Sequence, residues 1–147
     1  MPGVVRLHHV LAAKPEKVFR AFTDPDAMAQ WLPPYGFTAR VEHMDAREGG
    51  GFRMKFTNFT TGQNIAFGGD FLEVSPGARL RYTDRFDDPN LPGEMVVTVD
   101  FAAVGPGTEI HIEQAGIPDA IPVAMCTLGW QDSLDKLARL VTPDINV

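Results

Sequence analysis

The chain has a single cysteine, Cys126, among 147 residues, so no internal disulfide can staple it. That fits a reducing compartment and leaves an apolar core as the source of stability. Basic residues are also few: 13 Lys and Arg against 19 Asp and Glu give a net charge of −6, which removes the basic footprint expected of a nucleic-acid binder. No run approaches the roughly 18 apolar residues of a membrane span. The opening segment, Met1 to Leu11, is interrupted by Pro2, Arg6, His8 and His9 and lacks the apolar stretch of a signal peptide. Nucleophile elbows of the GxSxG type, dinucleotide fingerprints and phosphate loops are missing too, since Gly49 to Gly51 has no following lysine and joins two strands. These absences lead us to expect a cytoplasmic monomer or small oligomer, a homodimer included, with no nucleic-acid partner, membrane span, metal or cofactor.

What is present is an ordinary globular composition, 44% apolar and 22% charged, with no repeat, low-complexity tract or linker. Residues 1–147 therefore read as one domain. Residues 4 to 11 are extended. Val18, Phe19 and Phe22 then share a helical face behind Pro15, and Asp24-Pro25-Asp26 caps a second short helix carrying Met28 and Trp31, which Pro33-Pro34 stops. From Phe37 the period becomes two. Phe37, Ala39, Val41, His43 and Asp45 form one face, and Phe52, Met54 and Phe56 another after the Gly49 to Gly51 turn. Ile65, Phe67 and Phe71 follow with a bulge expected at Gly68-Gly69. Leu80, Tyr82, Asp84 and Phe86 precede Met95, Val97, Val99 and Phe101. Gly105-Pro106 suits a type II′ hairpin that sets Val99 opposite Ile112 and Val97 opposite Gln114. Val123, Thr127, Trp130, Leu134, Leu137 and Val141 form a helical stripe about five turns long. The result is an α+β fold in which an antiparallel sheet must wrap the stripe.

KPEKVFRAFTDPDAMAQWLPP at 14–34, VEHMDAREGGGFRMKF at 41–56, LRYTDRFDDPNLPGEM at 80–95, GTEIHIEQAGIP at 107–118 and GWQDSLDKLARLV at 129–141 occur in a familiar order. Over nearly its whole length the chain resembles the START-like (SRPBCC) superfamily, and within it the proteins related to the C-terminal domain of the Hsp90 ATPase activator (AHSA1-like). The resemblance implies a helix-grip fold: a curved seven-stranded antiparallel sheet around a long C-terminal helix, two short helices after strand 1, and a cavity between sheet and helix. Members bind lipids, polyketides, hormones or other small apolar molecules, and a few are cyclases or hydrolases.

A curved sheet and one helix cannot meet everywhere, so the inward residues are candidate cavity lining: Trp31, Phe37, Phe52, Met54, Phe56, Phe67, Phe71, Met95, Val97, Trp130 and Leu134. Polar residues in inward phase need partners or a cavity, because an unpaired buried polar group costs roughly 1–3 kcal/mol. His43 and Tyr82 are expected to face the cavity. Asp45 is expected to bind turn amides, and Asp84 is evenly balanced between facing the cavity and a structural place, beyond the rim or paired across the sheet end. His8 and His9 point to opposite faces while His111 shares the outer face with Glu109 and Glu113, so no facing set of three metal ligands is expected. Cys126 reads as a small core residue, and Gly129 as a site of close packing. Arg79, Arg81 and Arg85 with Arg53 and Lys55 form an outer basic row.

Three functions follow. Binding of a small hydrophobic ligand, oriented by Tyr82 and His43, is preferred over the others. The alternative is an enzyme of the cyclase, dehydratase or hydrolase sort, with His43 or Asp84 as general base and Tyr82 as acid or oxyanion donor. A chaperone-associated regulatory role is implied only by the family name and the basic outer row.

Overall fold

The computed structural model describes residues 2–147. Strand β1 (Gly3–Leu11) leads into helices α1 (Pro15–Thr23) and α2 (Pro25–Trp31). Six further strands follow, β2 (Phe37–Met44), β3 (Gly51–Asn58), β4 (Asn64–Ser75), β5 (Arg79–Phe86), β6 (Met95–Val104) and β7 (Gly107–Ile117), and then the closing helix α3 (Val123–Val141). The seven strands form one antiparallel sheet in the order β1-β7-β6-β5-β4-β3-β2, so only the first strand pairs out of sequence. The sheet is curved, and its shape and helices are those of a START-like helix-grip fold.

Local chemistry sets most boundaries. Asp24 accepts a hydrogen bond from the Ala27 amide at 3.0 Å and caps α2, with Pro25 at its first position. The β6–β7 hairpin turns on Gly105, whose φ of +56° a side chain would resist, and it does set Val99 opposite Ile112 and Val97 opposite Gln114.

Leu11, Val18, Phe22, Trp31, Leu80, Ile110 and Leu137 are among the fully buried side chains. Each adds roughly 1.5–3 kcal/mol by leaving water. Phe22 stacks edge-on against both Trp31 and Phe101, which ties the short helices to β6. Helix α3 packs most closely on β1, α1 and α2, away from the strands at the other side of the sheet. Its apolar stripe is buried at Trp130, Leu134, Leu137 and Val141, whereas Val123 is exposed and Thr127 only half-buried, so the first turns overhang rather than plug the fold.

Two register details differ from the sequence reading. The bulge in β4 falls at Leu72, between Phe71 and Glu73, and pairing with β3 runs straight through Gly68-Gly69. Those glycines are needed for a different reason: a Cβ on Gly69 would lie 1.9 Å from the Thr83 carbonyl oxygen. Another bulge is in β2, where Val41 opposes Met54 but His43 opposes Arg53, leaving Glu42 as the extra residue.

Among the described residues no helix is long and apolar enough to cross a membrane.

Candidate functional site

Between the curved sheet and α3 lies a cavity of about 330 Å³. Strands β2 to β6 supply one wall: Phe37, Phe52, Met54, Phe56, Phe67, Phe71, Tyr82 and Val97, all inward by strand alternation. Trp130 closes it from α3. Ring pairs Phe52–Tyr82 and Phe52–Phe71, with centroids 5.5 and 5.8 Å apart, and Phe56–Phe67, at 4.8 Å, give that wall two groups of packed aromatic rings. The mouth is marked by lining residues that also meet solvent, notably Met125 at 62% and Ile65 at 38% exposure.

Four expected lining residues are elsewhere. The β2 bulge turns both Glu42 and His43 outward, so His43 is exposed and Met44 takes the inward place. Trp31 is completely buried and does not line the cavity: its Nε1 donates to the Ala21 carbonyl at 2.8 Å and pins α2 to α1. Met95 and Leu134 are core residues outside the lining, and Met95 Sδ accepts from Gln114 Nε2 at 3.4 Å.

Many of the lining residues that the sequence reading did not assign come from the helices and their ends. Phe22, Met28 and Leu32 belong to the α1–α2 region, and Cys126, Gly129 and Ser133 lie on the cavity side of α3 beside its stripe. Phe86 and Gln114 were legible as inward residues but not as cavity walls. Gly129 is not a close-packing site, for an added Cβ would meet only Pro34 Cγ at 3.9 Å. Cys126 is half-buried, and burial pushes its thiol pKa up.

Asp84 is the distinctive polar group. It lines the cavity on the same face of β5 as Tyr82 and Phe86, neither beyond the rim nor paired across the sheet end. Its Oδ1 is sealed from solvent and has no hydrogen-bond partner among the described residues. Loss of water pushes the carboxyl pKa up to about 7, partly opposed by the Arg85 backbone amide. Burial, and then the Asp84 charge, hold the Tyr82 hydroxyl well above its ordinary value. A carboxyl in this state exchanges a proton near neutrality, inside a wall that is otherwise almost wholly apolar. Asp45 behaves differently from expectation: its carboxylate takes the Arg47 Nε at 2.8 Å, and the turn is closed by main-chain bonds such as Asp45 N–H to the Gly51 carbonyl.

On the outer sheet face the β1–β7 register places His8 opposite His111, and Glu109 reaches both. One Glu109 oxygen is 3.3 Å from His8 Nε2 and the other 2.8 Å from His111 Nε2, and the three potential ligand atoms lie within 4.8 Å of one another. A facing trio therefore exists where none was expected, because pairing across strands, not spacing within one, assembles it. Its carboxylate already serves both rings. The basic row is engaged as well: Arg53 with Asp87, Arg79 with Asp100, Arg85 with Glu94, and Arg81 with Thr98.

A seven-stranded antiparallel sheet gripping a C-terminal helix over an apolar hollow is the START-like helix-grip fold. More narrowly, the chain belongs to the Activator of Hsp90 ATPase homolog 1-like (AHSA1-like) family, whose profile matches residues 12–142. It is 56% identical to a Chromobacterium violaceum protein of known structure, over 98% of this chain and 100% of that one, with a TM-score of 0.96. Structures from Rhodobacter sphaeroides and Silicibacter pomeroyi, the latter an AHSA1 protein, share the fold: each is 22% identical with a TM-score of 0.81, covering 95% and 94% of this chain and 95% and 96% of theirs. No curated protein matches the chain.

Proposed function

We propose that the protein binds a small hydrophobic molecule, of lipid, polyketide or aromatic type, in the cavity between sheet and α3. The observation that carries this reading is the cavity itself: about 330 Å³, within the size of small-molecule sites, lined by aromatic and Met side chains with few polar groups. Tyr82 and Asp84 would orient the ligand, and the overhanging first turns of α3 would admit it. The reading keeps the cytoplasmic setting expected from a single cysteine.

Native mass spectrometry of protein purified from its own host, with thermal shifts against fatty alcohols, fatty acids and aromatic polyketides, tests it. A co-purifying apolar species or a saturable rise in Tm is expected. No bound species and no shift with any of them would end the proposal.

The enzyme reading survives in altered form, because Asp84 and Tyr82 share the cavity while His43 does not. Asp84 then becomes the acid–base group. Should any turnover be found, it must fall in Asp84→Asn and Tyr82→Phe and persist in His43→Ala; turnover intact in the first two rejects this reading.

A further inference from the structure

We infer, building on the cavity-binding reading, that the cavity selects against anions: its ligand carries a hydroxyl or amine proton donor on an apolar body and seats that donor on the Asp84 carboxyl.

The argument is one of unmatched partners. Gln114 is already used at both ends, its Oε1 accepting from Trp130 Nε1 at 2.9 Å and its Nε2 donating to Met95. The Ser133 hydroxyl is turned onto the carbonyls of Leu32 and Gly129. Among the described residues Asp84 Oδ1 is the buried side-chain oxygen without a partner, its carboxyl belongs to the cavity lining, and a buried acceptor left unpaired is costly until something donates to it. Among the described residues no salt bridge reaches Asp84, and Arg85 beside it pairs with Glu94. Across the sheet Asp84 faces Met95 of β6, and along its own strand its inward neighbours are Tyr82 and Phe86.

The sign of the selection comes from what the lining contains. Among the described residues it includes no lysine, arginine or histidine, so nothing neutralises an anionic head group. Its ionisable groups are Asp84, Tyr82 of the same strand and Cys126 of α3, and burial keeps the last two neutral at physiological pH. The charge inside the cavity is therefore that of Asp84. A carboxylate ligand would meet a like charge, whereas a neutral hydroxyl donates to Asp84 and an ammonium also gains the faces of the surrounding rings. Because the Asp84 carboxyl titrates at about 7, the exclusion of anions strengthens as pH rises through neutrality.

Four probes of one shape test this on the full chain by equilibrium dialysis: naphthalene, 2-naphthol, 2-naphthylmethylamine and 2-naphthoate. Near pH 8 the naphthol and the amine are expected to bind at least about tenfold tighter than the naphthoate, whose deficit shrinks near pH 6. In Asp84→Asn, nearly isosteric, naphthoate binding is expected to rise and lose its pH dependence. Equal binding of naphthoate and naphthol near pH 8, or a naphthoate affinity unmoved by pH in the wild-type protein, overturns the inference while leaving the cavity reading in place. If none of the four binds, naphthalene included, this inference falls, and the cavity reading is decided by the native mass spectrometry and thermal shifts above. The wild-type pH comparison decides the matter even if the variant fails to fold.

Discussion

Trp130 on α3 donates its indole Nε1 to Gln114 Oε1 on β7 at 2.9 Å, and the same amide reaches on to Met95 of β6. This is a polar strut across one end of an apolar cavity. It holds the closing helix at a fixed distance from the sheet where side chains do not fill the space between. Trp130→Phe keeps the ring burial but leaves the Gln114 oxygen unpaired. A loss of about 1–2 kcal/mol in urea unfolding is expected. An unchanged midpoint would mean that the strut does not stabilise the fold.

Gly129 offers a gain. It sits inside α3, where glycine costs about 1 kcal/mol relative to alanine, and the only atom near an added Cβ is Pro34 Cγ at 3.9 Å. Gly129→Ala should raise stability by roughly 0.5–1 kcal/mol. Calorimetry showing a lower Tm would indicate that the helix needs to bend there.

Asp84 links pH to stability. Its folded-state pKa, about 7, lies above the ordinary 3.8, so the folded protein holds this proton more tightly than the unfolded chain. The unfolded state therefore binds fewer protons between those values, and the Asp84 contribution to stability falls as pH rises from about 4 to about 7, then stays level. Asp84→Asn removes this dependence. The variant should match the wild type near pH 4 and exceed it by up to a few kcal/mol above neutrality. Parallel stability curves for the two proteins across that range would contradict the burial of this carboxyl.

His43 and Met44 exchange the roles their alternation assigns them. His43→Ala should shift stability by less than about 0.5 kcal/mol and leave probe binding unchanged, as for other exposed side chains. Met44→Glu puts a charge into the apolar lining and should abolish binding of a neutral probe such as naphthalene. The reverse outcome, in dialysis with that probe, would place His43 inside.

The limits of legibility follow from range. The Gly105-Pro106 hairpin specifies its own register, so Val99 opposite Ile112 follows from a two-residue turn. The β2 bulge has no such marker. Glu42, His43 and Met44 read as unbroken alternation, and one extra residue reverses every later side chain. Likewise nothing near His8 announces His111, which is brought opposite by the first strand pairing with the last. The helical share of the lining was hidden for a related reason. A hydrophobic stripe marks what α3 buries in the core, while Cys126, Gly129 and Ser133 flank the stripe and meet a space visible only once the sheet has curved.

By itself the sequence determined the element order, the α+β class and an inward face rich in aromatic residues, because alternation, helical period, caps and turns act over a few neighbours. The tertiary structure alone decided that α3 leans on β1, α1 and α2 and leaves a hollow over the remaining strands. It also decided which polar groups find partners there. Gln114 gains Trp130 and Met95, Asp84 gains none at Oδ1 among the described residues, and that difference depends on distances between strands and a helix far apart along the chain.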